Sequence, residues 1–331
     1  MHICMVMAGD EEGGLEKHVI EMANGLVQQG QQVTLIAHTK YASRVQGVTF
    51  KSLDLTKSRK NPFLLWQLYR LIKQINPDVL HVHANKAVAM IAPLLKWLDV
   101  PSIATLHNLK RNIQSFEKFD RVIAVSQRVA KQFKRQDAIR VVLNGVHAPK
   151  TYLNRPSSTQ PLQAIAIGRL VPAKGLDLLV EAWQGIDANL WIVGDGPDKL
   201  LLESKIQQLN LSEKIQLLGH RDDINDLLQQ ADFLVISSRN EGGPYTLSEA
   251  LLQHRPVIST DVGMVPEVLP ESLVCAANDV TALHQLIEKY VQDFTALEQQ
   301  SEKIYVFAQK QLTIDAMLHN TLQVYRELIN V

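Results

Sequence analysis

The sequence predicts an α/β protein of two doubly wound, Rossmann-like domains that face one another across a cleft. Three observations carry that expectation. Short apolar runs alternate with amphipathic stretches twice along the chain, which is the pattern of successive βαβ units. One Pro/Ser/Asn/Thr-rich stretch, APKTYLNRPSSTQP at 148–161, interrupts the alternation near the middle. The chain has 331 residues, 46% hydrophobic and 21% charged, enough for two ordinary cores and free of low-complexity tracts.

In the front half, apolar runs at 3–7, 33–37, 79–82, 102–106, 122–125 and 141–143 read as buried parallel strands. Between them, 15–29 reads as a helix closed by Gly30, and 62–75 as a helix with Pro62 in its first turn. After the linker the alternation restarts, with strands at 164–168, 190–193, 215–218, 233–237 and 257–259. The chain then ends in helical stretches at 280–291, 297–309 and 313–329. The domains so drawn are 1–155 and 156–312, and ligands are expected in a cleft at the C-terminal ends of their strands.

Composition narrows the classes of function. Cys4 and Cys275 lie far apart in apolar runs and are expected to be two buried, reduced thiols rather than a disulfide or a metal site. The N-terminus, MHICMVMAGDEE, lacks the basic start of a signal peptide, and the longest apolar stretch, 87–100, carries Lys96 and Asp99. A cytoplasmic location follows as the expectation. Net charge is zero, yet residues 1–160 hold 22 basic against 11 acidic residues and the remainder the reverse balance, 12 against 23. Few aromatics are interspersed with the basic residues, which disfavours nucleic acid. An anionic acceptor, or peripheral contact with an anionic membrane through the basic half, fits that asymmetry, as does an ordinary solvated face.

Candidate chemistry gathers at strand ends. Gly13-Gly14 follow the first strand and open a helix, a setting that admits a ligand close to backbone, although no G-x-G-x-x-G fingerprint is present. His107 follows the strand in IATLHN, and His81 and His83 end another in LHVHANK. An imidazole there can bond a sugar hydroxyl or move a proton. A metal on three of these histidines is conceivable, but no carboxylate or cysteine at ligand spacing joins them, so none is assigned.

GRLVPAKG at 168–175 brings Arg169 and Lys174 to one strand end, where two fixed cations can neutralise a diphosphate leaving group without a metal. EGGPYTLSEA at 241–250 is the most informative stretch. Gly242, Gly243, Pro244, Tyr245 and Thr246 form a loop and helix start suited to phosphate oxygens. Glu249 can accept from two ribose hydroxyls, and Glu241 can face a sugar. Thr246-x-x-Glu249 also fits a helix capping box, which would explain that glutamate alone.

Together GGLEKH, GRLVPAKG, GDGP, EGGPYTLSEA and DVGMVPEV resemble, in order along nearly the whole chain, family 4 of the retaining GT-B glycosyltransferases, of the kind that build bacterial lipopolysaccharide or capsule. The resemblance implies sugar transfer from a nucleotide-sugar, a UDP-linked hexose or N-acetylhexosamine by family habit, to a saccharide or lipid-linked acceptor. It implies retention of configuration, no cofactor and no divalent metal. Residues 1–155 become the acceptor domain and 156–312 the donor domain, with the last helix, about 313–331, crossing back onto the first.

Arg169 and Lys174 would hold the diphosphate, Glu249 the ribose, and Gly14 would lie against diphosphate or acceptor. His107 and Glu241 would sit at the transferred sugar, and backbone around 219–221 would grip the base. Met264, where many members carry a second glycine, departs from the pattern and would crowd or reshape the nucleotide pocket. An epimerase or phosphorylase on the same fold, and an inactive nucleotide-binding scaffold, are the alternatives.

Overall fold

A computed structural model describes residues 1–9, 13–149 and 161–329. The expected domain boundary at 155/156 and most of the 148–161 linker lie outside those residues. The chain divides into two compact units, one formed by Met1–Asn144 with Ile314–Val331, the other by Gly145–Thr313.

In the first unit, seven parallel strands are β1 (His2–Met7), β2 (Gln32–Ala37), β3 (Thr49–Ser52), β4 (Val79–His83), β5 (Ser102–Leu106), β6 (Arg121–Ala124) and β7 (Ile139–Val141). They lie in the order β3-β2-β1-β4-β5-β6-β7. The helices between them are α1 (Gly14–Gln28), α2 (Pro62–Ile75), α3 (Ala84–Ile91) and α4 (Gln127–Ala130). Gly30 ends α1 as a left-handed C′ residue: its N–H bonds Val27 O at 2.9 Å and the Gln31 N–H bonds Leu26 O at 3.0 Å. Asn61 caps α2 by accepting from the Phe63 and Leu64 N–H groups, with Pro62 at the position that needs no donor.

The second unit repeats the scheme with six parallel strands, β8 (Leu162–Ile167), β9 (Ala188–Val193), β10 (Ile215–Gly219), β11 (Phe233–Ile236), β12 (Val257–Thr260) and β13 (Val274–Cys275), ordered β10-β9-β8-β11-β12-β13. Its helices are α5 (Leu176–Ala182), α6 (Lys199–Gln208), α7 (Ile224–Gln230), α8 (Tyr245–Leu252), α9 (Val265–Val268), α10 (Val280–Gln292) and α11 (Phe294–Gln311).

The last helix, α12 (Ile314–Ile329), packs on α1 in the first unit. Strand alternation explains how. Cys4 and Val6 of β1 point into a core shared with α2, α3 and α4, while Ile3, Met5 and Met7 join α1 and α12. Gly25 of α1 leaves room for Leu318 of α12, whose Cδ1 would lie 2.4 Å from an added Cβ.

Two strands escaped the pattern reading. β3, TFKS, is a largely exposed edge strand with no apolar run, and β13 is only two residues long. The strand expected at 141–143 instead runs Ile139–Val141, with the Val142 N–H bond to Ala124 O at 3.0 Å as its last rung. Cys4 is buried, but Cys275 is only half-buried; both are free thiols.

Candidate functional site

Each sheet changes direction of winding at one point, and there the loops at the strand ends diverge to leave a crevice. In the first unit that point lies between β1 and β4. A cavity of about 420 Å³ opens there, lined by Gly9, Glu16, Asn85, Lys86, His107 and Lys110 among others. Gly14 is the first residue of α1 beside it. Ala84 holds φ +63°, a strained conformation for a residue with a Cβ, as the chain turns from β4 straight into α3. Lys86 Nζ donates to Thr56 O at 2.6 Å and so ties together two residues that line the cavity.

Behind the cavity lies a cluster of four histidines. His81 and His83 stand two apart on β4 and so share the α1/α12 face. His18 reaches them from α1 and His107 from the end of β5. The His18 and His107 ring centroids are 4.7 Å apart, those of His81 and His83 4.0 Å. His81 is held at both nitrogens, Nδ1 lying 2.6 Å from the Tyr325 hydroxyl and Nε2 2.6 Å from the Thr105 hydroxyl. Both ring nitrogens of His83 and Nε2 of His107 are buried without a hydrogen-bond partner.

Burial lowers the pKa of His18 to about 4 and of His81 to about 3, the latter helped by a charge on His18. Burial, then neighbouring imidazoles, push His83 and His107 well below the ordinary value. All four are neutral at pH 7. Ligand atoms of His18, His83 and His107 lie within 4.8 Å of one another, so neutral imidazoles there could hold a metal ion. The trio that geometry gathers therefore contains His18 in place of His81.

In the second unit the switch point lies between β8 and β11. Arg169 leaves β8 exposed, while Lys174 ends a short 3-10 turn and is half-buried. Lys174 Nζ donates to Glu241 Oε1 at 2.5 Å, and the Ser238 hydroxyl donates to the same oxygen at 3.0 Å. The two residues read from separate motifs are thus in direct contact.

Gly175, at φ +61°, permits this approach: a Cβ there would fall 2.2 Å from Ser237 O. Arg239 ties the two loops together through paired bonds of 2.6 and 2.7 Å to the Asp177 carboxylate and one of 2.7 Å to Pro172 O. The Arg239 hydrogen bonds hold the Asp177 carboxyl below the usual carboxylate range.

The 241–244 loop rests on Gly263, where an added Cβ would meet Gly242 O at 2.3 Å. Gly242 and Pro244 are buried, and Gly243, Tyr245, Thr246 and Glu249 are half-buried. Pro244 is the N-cap of α8, with Tyr245 its first residue. Thr246 therefore lies inside the helix, and the capping-box reading of Glu249 does not apply. Met264 is wholly buried in the core. Arg221, near the expected base grip, closes on Asp223 with bonds of 2.7 and 2.5 Å.

His107 and Gly14 thus lie at the first unit's switch point, and Arg169, Lys174, Glu241 and the 242–249 segment at the second unit's own. Missed from sequence were His18, Arg239, Asp177 and Ser238. The only cue to His18 was its place four residues into the helix that Gly14 opens. Arg239 and Asp177 lie 62 residues apart and carried none.

Comparison with known proteins then gives two family matches. Residues 12–148 match "Glycosyltransferase Family 4" and residues 154–307 match "Glycosyl transferases group 1". Among relatives, a glycosyltransferase of Methanocaldococcus jannaschii is 28% identical over 279 residues, covering 78% of each chain. The phosphatidylinositol N-acetylglucosaminyltransferase GPI3 subunit of Saccharomyces cerevisiae is 26% identical over 323 residues, covering 83% of this chain and 71% of that one. The lipopolysaccharide core biosynthesis glycosyltransferase LpsE of Rhizobium meliloti is 24% identical over 268 residues, 76% of each. The solved structure of Anabaena HepE in complex with UDP superposes with TM-score 0.84 at 17% identity, over 99% of this chain and 100% of that one, a likeness of GT-B fold.

Proposed function

This chain belongs to the family 4 glycosyltransferases, and from that premise we propose that it moves a hexose or N-acetylhexosamine from a UDP-linked donor to a saccharide or lipid-linked acceptor in surface polysaccharide assembly. In this reading configuration is retained, no metal is needed, and the protein works at the cytoplasmic face of the membrane. The observation that carries it is the Lys174–Glu241 contact at the second unit's switch point.

A lysine held by a carboxylate is a cation poised to be exchanged. A donor diphosphate brings more charge than Glu241 and draws the ammonium toward itself, where with Arg169 it neutralises the leaving group as the glycosidic bond breaks. Glu241, released from Lys174, is left beside the sugar to stabilise positive character at the reacting carbon. Glu249 accepts from the ribose hydroxyls, and the N–H groups of Gly242, Gly243, Tyr245 and Thr246 donate to phosphate oxygens. His107, neutral at pH 7, can donate to or accept from the sugar at one nitrogen. Gly14 leaves room for phosphate or acceptor.

That UDP is the nucleotide accords with the HepE complex, and a lipid-linked acceptor accords with the names of the yeast and Rhizobium relatives. The test is calorimetric titration with UDP, GDP, ADP and their sugars, with EDTA present. Micromolar binding of the UDP series is expected. Binding only after divalent metal is restored would refute metal independence, and binding of another series would refute the donor.

A further inference from the structure

Helix α2 buries Leu64, Leu68 and Ile72 and turns Phe63, Trp66, Arg70 and Lys73 to solvent. Phe63 is 64% exposed and Trp66 51%, and Trp97, on the turn after α3, is 56%. Two of the chain's four tryptophans are therefore exposed, both on one apolar groove of about 500 Å³ that Leu65, Tyr69 and Pro93 also line. Each exposed indole has a cation over its face, Arg70 at 5.0 Å from the Trp66 ring and Lys96 at 4.0 Å from the Trp97 ring.

Leu65 and Pro93 also wall a second recess of about 690 Å³, which carries Arg59, Lys60, Lys110 and Arg111. None of these four is ion-paired with a carboxylate among the described residues. Asn85 and Lys110 in turn line the cavity that holds His107. The first unit thus bears, in contact order, an exposed aromatic groove, a cluster of unneutralised cations, and the His107 cavity.

An exposed apolar patch of this kind marks an interaction surface. Tryptophan and tyrosine beside lysine and arginine are the side chains that favour the boundary between headgroups and acyl chains. Charge selects the partner: four cations without a carboxylate partner among the described residues, in a front half of net +11, match an anionic surface. The order of features also matches an amphiphile's own order of chain, phosphate and sugar.

We propose that this face docks on an anionic bilayer, with Phe63, Trp66 and Trp97 entering the interfacial layer and Arg59, Lys60, Lys110 and Arg111 binding lipid phosphates, so that a phosphorylated, membrane-borne acceptor is presented to His107. The acceptor part of that statement rests on the transfer reading above.

The test is co-sedimentation of the full chain with phosphatidylglycerol/phosphatidylcholine vesicles and with phosphatidylcholine alone. Binding is expected only to the anionic vesicles and is lost in 1 M salt, which shortens the screening length to about 3 Å. Each cation at such a surface contributes about five-fold, so Lys60→Gln with Arg111→Gln weakens binding about 25-fold. Trp66→Ser with Trp97→Ser abolishes the blue shift of tryptophan emission on binding.

UDP titration of the same variants is expected to match wild type, which certifies their folding and separates the two proposals. Vesicle binding without UDP binding would leave the docking intact and remove UDP as the donor. No vesicle binding, or binding unchanged in both double variants, would overturn the docking. So would a dimer in sedimentation that the tryptophan substitutions dissociate, since a second copy would then cover the face.

Discussion

Lowering the pH from 7.5 to 5.5 destabilises this protein through its histidine cluster. Burial holds His18 at about 4 and His81 at about 3, and His83 and His107 are lowered in the same way. In the unfolded chain each titrates near 6.5. Below that value the unfolded state binds protons that the folded state refuses, so stability falls as pH falls from about 6.5 toward 4.

One unit below 6.5, at pH 5.5, the loss is between about 1 and 2 kcal/mol per histidine, hence about 3 kcal/mol for His18 and His81 together. His83 and His107 add in the same direction. Asp177, depressed by Arg239, loses its contribution only below the ordinary carboxylate range and does not enter this window. Urea unfolding followed by far-UV circular dichroism at the two pH values measures the difference. His81→Gln, which can still bond Tyr325 and Thr105 but cannot titrate, is expected to flatten the pH dependence by about one proton. Equal stability at both pH values, or an unchanged slope in His81→Gln, would refute the argument.

Three further outcomes follow from the second unit. Lys174→Ala is expected to lower kcat by about 10²–10³ with the fold retained, because a cation is removed where leaving-group charge develops; full turnover would sink the assignment. Glu249→Ala is expected to weaken UDP binding by about 1.5–3 kcal/mol for each hydrogen bond to the charged carboxylate, read directly by calorimetry. Gly263→Ala combines φ +50° with a Cβ 2.3 Å from Gly242 O and is expected to cost at least about 2 kcal/mol and to impair UDP binding. Gly30→Ala, at φ +77° with nothing within 4 Å, is its control, costing only the conformational strain of about 1 kcal/mol. Equal effects of the two on melting temperature would refute the close-approach argument.

What the sequence by itself determined was the repeating unit. Buried parallel strands must be apolar on both faces, so ICMVM, AIAI and FLVI announce themselves, and the glycine-rich turns after them mark where a ligand can approach. Pro62 and Gly30 fixed helix ends because their preferences are local. Edge strand β3 stayed invisible since a solvated edge imposes no apolar period, and β13 because two residues make no period at all. Through-space pairing belonged to the tertiary structure alone. Nothing local joins Lys174 to Glu241, Arg239 to Asp177, or His18 to His83 and His107. The same holds for Trp66 and Trp97: sequence gives two tryptophans, and only packing decides that both remain outside, on one groove. A periodicity records which face of an element is buried; which partners meet there depends on how the elements stack.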